Sequence, residues 1–219
     1  MSETRKPRRC WFQYSLRSLL LLMFLASLGM SWFAVLAKRA RAQKQAVEEI
    51  RKLGGQVVYD YEVQAGNTGT FPAVAPGPVW LRSRLGVDFF ATPVSVGFYS
   101  PSVTDDGLKP LEQLTKLRAL VLCQPHVTDA GLKHLKELRQ LEMLHLFDMP
   151  VTDAGLEQIK ALTKLQRLNL DLTQITDAGL QSLKGLTELR LLELRSTKVT
   201  GQGVKRLQQV LPDCEIHGP

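Results

Sequence analysis

Cysteine is scarce, three in 219 residues, which is too few for a fold held by disulfide staples. The four histidines, His126, His134, His145 and His217, fall at no metal-ligand spacing, so neither a metal nor a cofactor is expected. Glycine and proline are too few, and the 44% hydrophobic share too large, for a collagenous or disordered chain. Acid is nearly missing from the start. Residues 1–44 hold nine Lys or Arg against Glu3 alone, whereas residues 45–219 hold nineteen bases against twenty acids. The overall +7 therefore belongs to the N-terminus. A folded part without a basic excess of its own argues against a nucleic-acid partner.

Charge is also absent from Leu19 to Ala37, LLLLMFLASLGMSWFAVLA. As a helix, nineteen such residues span about 28 Å, the thickness of a bilayer core. The sequence predicts a basic N-terminal segment over 1–18 and a single transmembrane helix over 19–37. The run exceeds the apolar core of a cleaved signal peptide, and Ala40-Arg41-Ala42 carries a charge inside the small-x-small pattern, which favours an uncleaved signal anchor. Arg5, Lys6, Arg8, Arg9 and Arg17 outnumber Lys38, Arg39, Arg41 and Lys44 by one base, and the single acid Glu3, which partly offsets them, counts little toward orientation. That bias places the N-terminus in the cytoplasm and the larger part outside, in the periplasm or beyond.

Residues 38–79 read as a stem, a small cap and a linker. Val47, Ile50 and Leu53 recur every three residues as a helical face, Gly54-Gly55 ends it, and VVYDY at 57–61 favours a strand. Ala65 to Pro78 carries three glycines and three prolines and is expected to lack regular structure.

From residue 80 onward one period dominates. VTDD, VTDA, VTDA, ITDA and VTGQ begin at Val103, Val127, Val151, Ile175 and Val199, always twenty-four residues apart. Leu120 and Leu122 alternate as on one face of a strand, while Leu132, Leu135 and Leu138 recur every three as on a helix. Each unit is then strand, turn and helix, and neither element can bury its leucines without a stacked neighbour. The fold class predicted for 80–219 is an α/β solenoid, its parallel sheet concave and its helices convex. Residues 80–102 form a degenerate first unit through Phe90, Val96 and Phe98, and Ile216 marks an edge strand at the end. Thr128 or Asp129, with Thr152 or Asp153 and Thr176 or Asp177 in phase, is expected to accept the free amides of each helix start and to place an acid near its positive end. The glycine column Gly107, Gly131, Gly155, Gly179, Gly203 implies close approach of neighbouring helices or a turn requirement.

The pattern LxxLxLxxTxVTDAGLxxL resembles the leucine-rich repeats of the ribonuclease-inhibitor and F-box-associated type over residues 103–198. It departs from them where a buried Asn or Cys is usual, with Pro125, Met149, Thr173 and Thr197 in that place. The FQYSLRSLLLL start and the later IRKLGGQVVYDY are similar to uncharacterised membrane-anchored leucine-rich proteins of planctomycete bacteria. The residues before the repeats read as a membrane helix rather than an F-box, so the resemblance implies no ubiquitin-ligase role.

With the leucines inward, alternate strand residues face the concave side in three columns: Ala119, Met143, Arg167, Leu191; Val121, His145, Asn169, Glu193; and Cys123, Phe147, Asp171, Arg195. An apolar centre of Val121, Cys123, Met143, His145 and Phe147 beside the charged Arg167, Asp171, Glu193 and Arg195, with Asn169 among the candidate contacts, is the composition of a protein interface. The expected partner is a protein or peptide, with an envelope glycan as the alternative and the lipid bilayer as a contact of residues 19–37. No nucleophile is placed with His145 and Asp171 by any motif, so no catalytic residue and no enzyme activity are expected. Cys123 and Cys214 lie nearly four units apart, about 18 Å at the usual strand spacing, beyond disulfide reach.

Overall fold

The computed structural model describes residues 16–68, 74–123 and 126–218, without the side chains of 16–19, 22 and 65–68. The basic residues up to 15, the middle of the Pro/Gly stretch and Pro125 lie outside this set. The chain divides into two compact units, Met1–Arg39 and Ala40–Pro219.

In the first unit, helix α1 (Leu16–Lys52) takes up the whole apolar run. Between Leu20 and Val35 its described large apolar side chains stand open, from 48% at Val35 to 69% at Met30, and Leu36 is half-buried. Among the described residues, which omit the side chains of Leu19 and Leu22, no helix is long and apolar enough to cross a membrane.

In the second unit the last turns of α1 bury Ala46, Val47 and Ile50, as the spacing requires. Gly54 then adopts φ 78°, which glycine allows without strain. β1 (Gln56–Tyr59) follows and pairs antiparallel with β2 (Pro93–Phe98). From β2 onward every pairing is parallel, through β3 (Ala119–Cys123), β4 (Met143–Phe147), β5 (Arg167–Asn169), β6 (Leu191–Glu193) and β7 (Glu215–His217). The order of the seven strands is that of the sequence. Register follows the period: Val96, Leu120, Leu144, Leu168, Leu192 and Ile216 stand side by side. The leucine columns form one continuous core, nearly all of it at most 4% exposed. This is the α/β stack of strand-and-helix units that the spacing predicts, with β2 as its degenerate first strand.

Two local expectations need correction. α2 (Asp60–Thr68) takes up the last two residues of the expected strand VVYDY and carries helix into the start of the stretch expected to be irregular, whereas α3 (Val79–Leu85) begins just after that stretch ends. The helix side is also less helical than the leucine stripe suggests. It comprises the 3₁₀ helix Asp105–Gln113, α4 (Asp129–Leu132) with the 3₁₀ turn Lys133–Leu135, α5 (Asp153–Ile159), the 3₁₀ helix Gly179–Leu183 and α6 (Gly201–Gln208). A twenty-four-residue unit leaves room for little more than two turns after its strand and loops are paid out.

Of the two capping alternatives, the structure selects threonine. Threonine alone caps: the hydroxyls of Thr128, Thr152 and Thr176 accept from the amides of Ala130, Ala154 and Ala178, and that of Thr200 from Gly203. The aspartate reaches into the next unit. Asp105 accepts the Thr128 amide at 2.7 Å and hydroxyl at 2.8 Å, and Asp129, Asp153 and Asp177 repeat both bonds with Thr152, Thr176 and Thr200. The two Thr200 bonds hold the Asp177 carboxyl below the ordinary carboxylate range. These bonds also explain the glycine column. A Cβ on Gly131, Gly155, Gly179 or Gly203 would collide with the carboxylate of the preceding unit's aspartate. Gly107 meets no aspartate; its Cβ would find only Leu53 at 3.1 Å and Val103 at 3.2 Å. The close approach is therefore mainly between a helix start and a neighbouring side chain, joined at Gly131 by the Asp105 Cα at 3.2 Å.

In the turns, Thr173 and Thr197 donate to the Leu170 and Leu194 carbonyls at 2.6 and 2.8 Å, as a hydroxyl there can. Met149 is buried at 2% and fills its turn with apolar volume instead. Just beyond three successive strands, Asp148, Leu172 and Ser196 take φ 55°, 60° and 56°, a left-handed residue recurring with the period.

Candidate functional site

The open face of the sheet carries the three predicted columns in the predicted register. Ala119, Met143, Arg167 and Leu191 align, as do Val121, His145, Asn169 and Glu193, and Cys123 pairs with Phe147. Asp171 and Arg195 continue the third column just past the ends of β5 and β6. The alternation of strand side chains puts the leucines beneath and leaves Val121, Met143, His145 and Phe147 half-buried. These four form the apolar part of the face.

The polar part is braced more firmly than its composition suggests. Asn169 is 9% and Asp171 7% exposed, so these two support the surface rather than project from it. Asn169 accepts the Asp171 amide at 2.9 Å and donates to Glu193 at 2.6 Å. Asp171 in turn accepts the Arg195 amide at 2.7 Å, and the Arg195 guanidinium stands 3.8 Å from Asp171 and 3.7 Å from Glu193. His217 on β7, which bonds Glu215 at 2.7 Å, adds a further contact to Arg195 at 3.4 Å. Arg167 and Arg195 remain exposed. Burial lowers the His145 pKa from its ordinary value against the pull of Glu193, keeping the ring neutral at neutral pH.

Sequence reasoning stopped one unit short on this face. Gly97 pairs with Val121, and the Tyr99 ring lies across Gly97, where a Cβ would sit 2.8 Å from it. Tyr99 is 56% exposed and extends the apolar strip beyond Val121 and Cys123. The signal was available, since Tyr99 falls twenty-four residues before Cys123 and Gly97 twenty-four before Val121. Beside the first column, a cleft of about 580 Å³ is lined by Asp60, Val63, Thr92, Ser95, Lys116, Arg118 and Glu142. It brings α2 to the starts of β2, β3 and β4, a contact between a non-repeating helix and the repeats that no periodicity announces.

Cys123 and Cys214 are free thiols. Burial raises both, with Glu215 adding to the effect at Cys214, whose pKa is pushed up to about 11. Neither is a thiolate at neutral pH. Among the described residues no group of three His, Cys, Asp or Glu side chains is arranged to hold a metal ion.

A family model described as a leucine-rich repeat matches residues 161–184. No curated protein matches the chain. Solved structures similar to it include an internalin from Listeria monocytogenes, 24% identical over 50% of this chain and 30% of that one, with a TM-score of 0.44. A leucine-rich-repeat protein of Leptospira interrogans is 30% identical over 49% of this chain and 26% of that one, with a TM-score of 0.40. The ectodomain of the receptor kinase SOBIR1 from Arabidopsis thaliana is 14% identical over 81% of this chain and 91% of that one, with a TM-score of 0.46. The chain thus spans less than a third of the first two.

Proposed function

We propose that this leucine-rich-repeat chain is a membrane-tethered interaction module that holds a protein or peptide on the open face of its sheet, which we take to be concave. The observation that carries the reading is the apolar strip of Tyr99, Val121, Met143 and Phe147 beside a polar margin whose members already hydrogen-bond one another. A braced polar edge around half-buried apolar groups loses little when a partner removes water from it, and the apolar centre then supplies the attraction. Fully burying a methionine or phenylalanine from water is worth about 1.5–3 kcal/mol, and covering the exposed part of the half-buried Met143 and Phe147 supplies a share of that at each.

The double variant Met143→Ala, Phe147→Ala should therefore weaken capture of the native partner at least tenfold. The full chain in lipid nanodiscs, cross-linked to envelope proteins and compared with purified envelope glycans, provides the measurement. An unchanged set of cross-linked proteins from a variant with an intact circular dichroism spectrum would remove this proposal. Glycan binding indifferent to the variant would favour the envelope-glycan alternative.

Tethering is supported by the open apolar side chains of α1 between Leu20 and Val35, since large hydrophobic groups on all sides of a helix are costly in water. We assign the run from Leu19 to Ala37 to a single-pass anchor, its N-terminus cytoplasmic and the repeats exported. Protease added to intact spheroplasts should digest the repeats; their protection until lysis would reverse the orientation.

A further inference from the structure

We infer that the segment around α3 is a lipid-surface contact, with Val74, Val79 and Trp80 entering the interfacial layer of an anionic bilayer while Arg84 and Lys44 meet its headgroups. This rests on the anchor reading above only for the nearness of a membrane; the patch itself lies wholly within the second unit. Val74, Val79 and Trp80 are 77%, 73% and 68% exposed, the most open large apolar side chains described in that unit.

This exposure is built into the local structure. Arg82 donates to the Ala75 carbonyl at 2.8 Å, and the Leu81 and Arg82 amides both return to Pro78 at 3.0 Å. Gly77, at φ 85°, packs so closely on the Phe90 ring that a Cβ would lie 2.8 Å from it. The Gln43 side-chain amide donates to the Ala91 carbonyl at 2.9 Å, fastening the following turn to α1.

Charge selects the occupant. Between Val74 and Val87 the ionisable residues are Arg82 and Arg84, and between Ala40 and Ala46 they are Arg41 and Lys44. These two stretches contain no acid; the nearest beyond them are Glu48, an exposed partner of Lys44 at 3.9 Å that solvent keeps weak, and Asp88, which accepts from the Tyr59 hydroxyl. Lys44 runs alongside the end of α3, its Cδ 3.9 Å from where a Cβ on Gly86 would be. An indole and two valines beside exposed cations match the depth profile of an interface, where tryptophan sits at headgroup level and basic side chains reach phosphate. Gln43 follows the apolar run by six residues, so chain continuity keeps this patch within reach of any membrane that holds the run.

The test uses the full chain with Trp11→Phe and Trp32→Phe, leaving Trp80 as the single tryptophan, in phosphatidylglycerol vesicles whose acyl chains carry bromine. An indole entering the interface sits about 5–10 Å into the headgroup and acyl boundary, so its fluorescence should fall by roughly half, with a blue-shifted maximum. Adding Lys44→Glu and Arg84→Glu should remove most of that quenching. Water-like emission without bromine quenching would overturn the inference, as would quenching indifferent to the charge reversal. A blue shift without quenching, growing with protein concentration, would assign the patch to a second copy and also overturn it. A companion chain keeping only Trp32 reports the anchor separately: quenching of Trp32 but not Trp80 would leave the anchor standing and defeat the surface contact.

Discussion

Leucine in place of Gly155 should cost about 3–5 kcal/mol of stability, seen as a large drop in the urea midpoint, because two penalties arrive together. The first is steric: a Cβ at this position would overlap the Asp129 carboxylate and lie 2.8 Å from Val151 and 2.9 Å from Leu132. The second follows from the first. Asp129 cannot withdraw without releasing the Thr152 amide and hydroxyl that it holds at 2.8 and 2.6 Å. Overpacking and the loss of charge-assisted hydrogen bonds are therefore coupled. Gly185 is the control. It has nothing within 4 Å of its Cβ position, so Gly185→Ala should stay within about 0.5 kcal/mol of the parent or gain stability. Coupling can be read directly by pairing Gly155→Ala with Asp129→Gly. Removing the carboxylate should return at least about 1 kcal/mol of the alanine penalty, the signature of two groups in contact. Equal losses at Gly155 and Gly185, or strict additivity in the pair, would show that the glycine column answers to something other than the aspartate ladder.

That ladder marks the limit of what the amino-acid pattern discloses. Leu120 and Leu122, or Leu132 and Leu135, can be assigned because burial imposes a period of two on a strand and of about three and a half on a helix. The sheet register then follows from the absence of insertions. Asp129 carries no comparable signal. An aspartate after threonine at a helix start satisfies the capping rule as written, and only the stacked geometry shows that the nearest free donors belong to the following unit. Asn169 and Asp171 fall to the same cause. Their position places them on the open face, but a neighbouring Glu193 and the Arg195 amide draw them into bonds along the sheet. α2 and the cleft beside Lys116 occur once, so no repetition points to them. Tyr99 is the opposite case: the period reaches it, although β2 shares almost no residue identity with the units that follow.

Phe98→Ala should remove about 3–5 kcal/mol, and its effect should be lopsided. Phe98 is fully buried and takes the place held by Leu122 in the next strand. It presses on Gly55, where a Cβ would lie 2.7 Å from its ring and 2.5 Å from Ile50, itself fully buried. The aromatic ring thus joins the last turns of α1 and β1 to the repeats, and alanine would leave a cavity at that joint. In a stacked array each unit contacts only its neighbours, so the damage should stay near the end where it is made. Hydrogen exchange should show faster exchange over residues 46–59 and in β2, with β5 to β7 little changed. Leu144→Ala, at the middle of the stack, should cost a comparable 2–5 kcal/mol but loosen strands on both sides of it. Uniform loss of protection from Phe98→Ala would mean that the second unit opens as one cooperative body, and the joint would lose its special standing. The same reasoning sets the smallest soluble piece. A fragment beginning at residue 80 would uncover Val96 and Phe98, whereas one beginning at Ala40 keeps Ile50 and β1 over them, and the longer fragment should be the more stable of the two.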